Sequence, residues 1–351
     1  MIVQNKKENS DQEKDKYVNF IECTDYVDYD HPAIQEKARS LFEGMETDVE
    51  KAKAAYYFVR DEIPHSYDIH ADTVNATASD VLINKTGVCH AKSNLLAALL
   101  RSQGIPAGFC FQHLTLADDD SKGYCIHGYN AVFLNGRWVK LDARGNKQGV
   151  NAEFSLTYPR LAFLSRREYD EYHIPGIFAM PREASMKLLD RAKTIDEVAN
   201  ECTSDFTGTP DIEEITMRPF IDSDMELFQT WLQKPYIAKY YHDPEDWIDE
   251  LEKRHTEFQW IEHRIVELAG KPIGFCQYYS YELSIPYGED WHGSIPPQQT
   301  YSLDYMIGEE DCVGKGYGKQ SALQLIELIR LTGDAKRIIV NPEKENLPSC
   351  N

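Results

Sequence analysis

The 351-residue sequence predicts an α+β protein of two domains, a helix packed on an antiparallel sheet followed by an α/β domain. Three observations carry this. A glycine-led turn, Gly87-Val88-Cys89, opens a strongly apolar helix, and downstream of it Asn135-Gly136 joins two alternating strands, a strong short-range hairpin signal. The stretch 203–211, with Thr207-Gly208-Thr209-Pro210, is polar and turn-rich and reads as a domain boundary. Beyond it, strands and helices mix, and a glycine-rich loop, Val313-Gly314-Lys315-Gly316-Tyr317-Gly318-Lys319, runs from a strand into a helix. The expected division is a disordered tail 1–16, a first domain 17–205, a linker 206–211 and a second domain 212–351.

Composition narrows the function. The chain is 42% hydrophobic and 27% charged, enough apolar residues for two cores. A formal net charge of −21 repels nucleic acid and anionic membrane, so neither is expected as a partner. It would attract a cationic ligand, although acidity for solubility alone is common. Met1-Ile2-Val3 passes at once into polar residues, without a secretory signal, and no apolar run has the length of a membrane span. The eight cysteines are scattered with no CxxC pair, which argues against structural zinc and a disulfide framework. No metal is expected, and a reducing cytoplasm is the simplest compartment.

In the first domain, the segment 17–29 is an aromatic-rich approach. Helices are expected over 32–44 and 49–61, with Asp48 as a cap, and Pro64-His65-Ser66-Tyr67 breaks the second. A loop carrying His65, Tyr67 and His70 leads to a short helix at 79–82. From Cys89 the apolar positions Leu95, Leu96, Leu99 and Leu100 bury one helical face, and Gly104 and Pro106 end the helix. Strands follow at 107–116, 126–134 and 137–142, with a charged turn at 118–123. The segment 154–200 is mixed, closing with helices at 181–191 and 194–199.

The second domain begins with a strand at 212–219 and a helix from Asp222 to about 233. A helix from Pro244, a hairpin of strands 260–268 and 273–281, and a strand at 300–307 come next. The glycine loop, a helix over 319–332 and a short strand at 337–340 complete it.

One constellation in the first domain has the parts of nucleophilic catalysis. Cys89 at a helix start meets unpaired N–H groups and the positive end of the helix dipole, which favour the thiolate. A two-residue turn pairs Leu134 with Arg137, and counting outward brings His127 and Asp142 to the same end of the hairpin. A thiol, a base and a carboxylate that orients the base are what such chemistry requires, and the Cys89 N–H could serve an oxyanion hole. His65, His70, His90 and His113 read as surface or pocket-lining residues.

These residues resemble the transglutaminase-like superfamily of papain-type thiol enzymes. The matching pieces are Gly87-Val88-Cys89-His90-Ala91-Lys92-Ser93, Leu99-Leu100-Arg101-Ser102-Gln103-Gly104-Ile105-Pro106-Ala107, His127-Gly128-Tyr129-Asn130 and Trp138-Val139-Lys140-Leu141-Asp142. The resemblance spans roughly residues 45–160. It implies a papain-like core and an acyl-thioester on Cys89, formed from a peptide or amide and passed to water or an amine, with no cofactor. Tyr129 stands where family members often carry Trp. The Arg-Gly-Gly-x-Cys start of arylamine acetyltransferases, which share the triad, is absent.

The glycine loop lacks the P-loop lysine–hydroxyl pair and the dinucleotide spacing. Its surroundings resemble the GNAT superfamily of N-acetyltransferases, with Gly316 and Gly318 in the glycine places of the acetyl-CoA loop and Val313 in place of the usual Arg or Gln. Ile215-Thr216-Met217-Arg218-Pro219-Phe220 is similar to that family's first strand, and Asn341-Pro342 with Asn346 to a later CoA-side segment. Within the family, the run from Lys239 to Trp247 and Ser302-Leu303-Asp304-Tyr305 are similar to aminoglycoside 6'-N-acetyltransferases. The resemblance implies acetyl-CoA held by Gly314, Lys315, Gly316, Tyr317, Gly318, Lys319 and Asn346, Asp304 as base or amine-binding carboxylate, and a polyamine or aminoglycoside-like acceptor. It also implies a further helix, two strands and a general-acid tyrosine beyond Asn351. Without them the sheet edge stays open, and the second domain is either cut short or degenerate, with acetyl transfer impaired.

The sequence thus predicts a bifunctional protein, a Cys89–His127–Asp142 amidase, protease or acyltransferase fused to an acetyl-CoA-dependent N-acetyltransferase. The alternative makes acetylation of a polycationic amine the main activity and the first domain an accessory or idle binding module.

Overall fold

The computed structural model describes residues 17–117, 119–157, 159–288, 295–342 and 346. The expected tail 1–16, Asp118 of the charged turn and Cys350 lie outside them. The chain divides into two compact units, 1–212 and 213–351. Both combine helices with mainly antiparallel sheet.

Among the described residues of the first unit, four strands form a sheet of order β3-β2-β1-β4. They are β1 (Ala107–Thr115), β2 (Tyr124–Leu134), β3 (Arg137–Leu141) and β4 (Tyr172–Phe178). The turn at Asn135 (φ 52°) and Gly136 (φ 76°) has both residues left-handed, and it pairs Leu134 with Arg137. Strand β4, antiparallel to β1, was read only as mixed sequence. Its Pro175-Gly176 interrupts the alternation, and the β1–β4 register shifts there.

The helix Cys89–Arg101 was expected to bury one face. Instead every residue from His90 to Arg101 is buried. Its polar side chains are satisfied inside the protein. Lys92 Nζ donates to the carbonyls of Ile63 and, at 2.9 Å, Arg144. Asn94 Nδ2 donates to the Ala76 carbonyl at 2.8 Å. Arg101 donates to the carbonyls of Glu22, Ala107 and Ala179. A core helix can carry such residues because each donor finds an acceptor.

The segment expected as a linker packs on the first unit. The Phe206 ring lies 5.2 Å from that of Phe111, Asp211 accepts from the Ala179 N–H, and Ile212 pairs with Ile177.

In the second unit the sheet runs β5-β6-β7-β8-β9. Strands β5 (Ile215–Pro219), β6 (Ile261–Leu268), β7 (Lys271–Ser280) and β8 (Thr300–Ile307) are antiparallel neighbours, and β9 (Arg337–Ile339) is parallel to β8. Helix Tyr317–Leu331 packs Leu325 and Ile329 on one face of the sheet, and helix Met225–Leu232 packs Phe228 and Trp231 on the other.

Candidate functional site

The site in the first unit is assembled from a helix start and a hairpin end. Gly87 lacks room for a side chain, since an added Cβ would stand 3.1 Å from Val81. Val88 precedes the helix at half-buried Cys89 and supplies no side-chain cap to its first N–H groups. His127 stands on β2, and Asp142 follows the last residue of β3.

The structure brings these three side chains together. His127 Nε2 lies 2.9 Å from Asp142 Oδ2, both groups buried. The same carboxylate accepts the Ala162 N–H at 2.9 Å and the Arg144 N–H at 3.1 Å. The Cys89 thiol interacts electrostatically with the same ring. The Phe163 ring stands edge-on to His127, centroids 5.1 Å apart. Burial disfavours a charged imidazole, but the Asp142 carboxylate and Cys89 outweigh it and raise the His127 pKa. Burial likewise disfavours a thiolate, yet the His127 charge and hydrogen bond, with the Gly128 backbone, bring Cys89 below the ordinary thiol value. The arrangement favours a thiolate–imidazolium pair.

The Cys89 N–H does not face open space. It donates to His65 Nε2 at 3.0 Å, which overturns its expected role toward an oxyanion. His65 is buried and stacks on Tyr67. Burial, with the charges of Arg144 and Lys92, holds its pKa well below the usual value, so the ring is neutral. His90 is buried against Gly128, its Nε2 2.9 Å from the Ile126 carbonyl and 3.1 Å from Ser185 Oγ. His113 is buried between Tyr124 and Tyr172, whereas His70 is exposed. Sequence reasoning missed the contact of His65 with the nucleophile's backbone. Its Pro-His break, 24 residues ahead of Cys89, was the available signal.

In the second unit, Gly314 (φ 75°) and Gly316 (φ 87°) take left-handed backbone conformations, and among the described residues, chain neighbours aside, no atom lies within 4 Å of a Cβ added at either. The helix that starts at Tyr317 has no side-chain cap. Lys315, within this turn, and Lys319, in the first turn of the helix, are exposed, and Asn346 is half-buried beyond β9. Gly318 is close to Tyr305, where an added Cβ would stand 3.0 Å from the ring. Asp304 accepts from Gln277 Nε2 at 3.1 Å. Neighbours on a strand point to opposite faces, so Asp304 and Tyr305, which packs the loop, are directed apart.

Residues 35–143 match the transglutaminase-like superfamily, and residues 221–351 match the acetyltransferase (GNAT) domain. The chain thus carries one region that matches a transglutaminase-like model and one that matches a GNAT model. Aminoglycoside N(6')-acetyltransferase type 1 of Klebsiella pneumoniae is 21% identical over 141 residues, covering 38% of this chain and 69% of that protein. The type 1 enzyme of Serratia marcescens matches equally. A crystal structure of an aminoglycoside acetyltransferase with coenzyme A and kanamycin is 22% identical, covers 39% of this chain and 79% of its own, and superposes with a TM-score of 0.34. Among the described residues, no helix is long and apolar enough to cross a membrane, and no three His, Cys, Asp or Glu side chains group to hold a metal.

Proposed function

We propose that the first unit is a thiol enzyme that hydrolyses or transfers the acyl group of a peptide or amide. The buried His127–Asp142 contact of 2.9 Å, with Cys89 electrostatically coupled to the same ring, carries the reading. The Cys89 thiolate attacks the carbonyl carbon and a C–S bond forms. His127 gives its proton to the departing nitrogen as the C–N bond breaks. Water or an amine then attacks the thioester, His127 takes its proton, and the sulfur leaves as thiolate. Asp142 keeps the ring oriented and stabilises its charge throughout. Iodoacetamide at about pH 6, below the ordinary thiol pKa, should alkylate Cys89 ahead of the other cysteines. Uniform labelling would exclude the reading.

The second unit, on this reading, uses acetyl-CoA to acetylate an amine-rich, aminoglycoside-like acceptor. The support is the open turn at Gly314 and Gly316 before an uncapped helix start, which fits an anionic pyrophosphate. Gly314, Lys315, Gly316, Tyr317, Gly318, Lys319 and Asn346 would hold the cofactor, which supplies the acetyl group, and Asp304 would bind the amine. The net charge of −21 suits a polycation. Calorimetric titration with acetyl-CoA tests this, and no heat of binding would count against it. Among the described residues no disulfide is formed, in keeping with a cytoplasmic location.

A further inference from the structure

Cys89 also lines a cavity of about 500 Å³, within the range of roughly 300–1,000 Å³ that holds small molecules. Val88, His90 and Ile126 line it beside the sulfur. The opposite wall is supplied by Leu188, Leu189, Val198, Ala199 and Cys202, from helices Glu183–Arg191 and Ile195–Glu201 and the residue after them. That wall lies outside the matched residues 35–143.

The charged side chains around the cavity already have hydrogen-bond or ion-pair partners. Arg182 donates to Ser185, Thr203 and the Asp205 carbonyl. Lys187 pairs with Glu183, and Arg191 with Glu201, all four exposed and therefore forming a rim. Burial pushes the Cys125 thiol up to about 12, so it too stays neutral. A charged or strongly polar guest would lose water there and gain little in exchange.

Resting on the thiol chemistry above, we propose that this cavity receives the acyl group transferred to Cys89, and that the group is uncharged and largely hydrocarbon. The carbonyl carbon sits at the sulfur while the acyl chain extends between the two helices. The nitrogen side of the substrate leaves with the proton from His127, and water later releases the free acid.

The test is a series of acyl p-nitroanilides, from acetyl to octanoyl, with succinyl as the charged member. kcat/KM should rise about threefold to fourfold per methylene, the ratio equivalent to about 0.8 kcal/mol per buried methylene, and succinyl should be poor. Ala199→Trp, which fills the wall, should reduce the octanoyl-to-acetyl ratio at least tenfold. A flat series, or a preference for succinyl, overturns the proposal. If no anilide is cleaved, the thiol reading fails, and calorimetry of octanamide with the Cys89→Ala protein decides the cavity separately. Binding that Ala199→Trp abolishes supports an apolar guest, and absence of binding overturns it.

Discussion

The backbone N–H of Cys89 donates to Nε2 of His65 across 3.0 Å, so the residue that carries the sulfur is fixed through its main chain as well as its side chain. The bond requires Nε2 to be unprotonated, which puts the ring proton on Nδ1, a buried atom without a partner among the described residues. His65→Phe should cost about 1–3 kcal/mol, because it leaves the Cys89 N–H unpaired, and His65→Gln should recover part of it by offering an oxygen. Urea unfolding at pH 7 measures both. A histidine held neutral below its unfolded pKa of about 6.5 contributes stability that is lost as pH falls below that value. The His65→Phe deficit should therefore shrink toward pH 5.

Asp142→Asn should separate orientation from charge. The carboxylate is the main opposition to the burial that would otherwise discharge His127. With an amide in its place the imidazolium loses its partner and the thiol regains its proton. The pH profile of Cys89 alkylation should move upward, with at least tenfold slower labelling at about pH 6, and turnover should fall by about 10⁴. An unchanged profile would show that Asp142 acts on packing alone.

Lys92, fully buried one turn beyond Cys89, should produce a stability change in mild alkali. Burial, with the neighbouring Arg144 charge, pulls its pKa down to about 7 despite the opposing pull of Asp142, Asp68 and Asp61. Between that value and the ordinary lysine value of about 10.4 the unfolded chain holds a proton that the native protein does not. Stability should therefore gain up to about 1.4 kcal/mol per pH unit across this window. Lys92→Met should remove this component of the slope, read from urea midpoints at pH 7 and pH 9.

Gly128→Ala should disturb the site by overpacking. The new methyl would lie 2.6 Å from His90 Nδ1, and that ring is held by Ile126 and Ser185. A cost of about 1–3 kcal/mol is expected. Because Gly128 is next to His127, Cys89 alkylation at pH 6 should slow as well. Thermal unfolding and labelling rates check the two effects.

Gly316→Val in the second unit forces a branched side chain to φ 87°. The strain, about 1–2 kcal/mol or more, should weaken acetyl-CoA binding in calorimetry while Cys89 alkylation is unchanged. Loss of both signals would mean that the substitution unfolds the whole chain.

The pairing of His127 with Asp142 was legible because Asn135-Gly136 fixes both turn type and register, and counting residues then locates the two side chains. The helix start at Cys89 was equally legible from Gly87 and the apolar run. Strand β4 was not, because Pro175 and Gly176 erase its alternation. The full burial of the Cys89 helix was also hidden, since Lys92, Asn94 and Arg101 look like a solvent face until the carbonyls that receive them are known. Similarly, no local pattern announces His65 as a partner of Cys89, because the contact joins a loop to a helix start across unrelated sequence. In the second unit the glycine loop was legible from its composition, but which face Asp304 takes relative to it depends on the pleat of β8.

Arg101 gives the sulfur's position an unexpected dependence. It sits at the blunt end of the helix that begins at Cys89, gripping Glu22 far upstream and Ala179 far downstream. The reactive end is thus aligned from its opposite end, like a chisel held in a vice. Trimming the chain past Glu22 would loosen the grip from a distance, and cutting it before Ala179 would loosen it and also remove the cavity wall beside the thiol. An active fragment of this unit must therefore be drawn well outside the stretch that carries its chemistry.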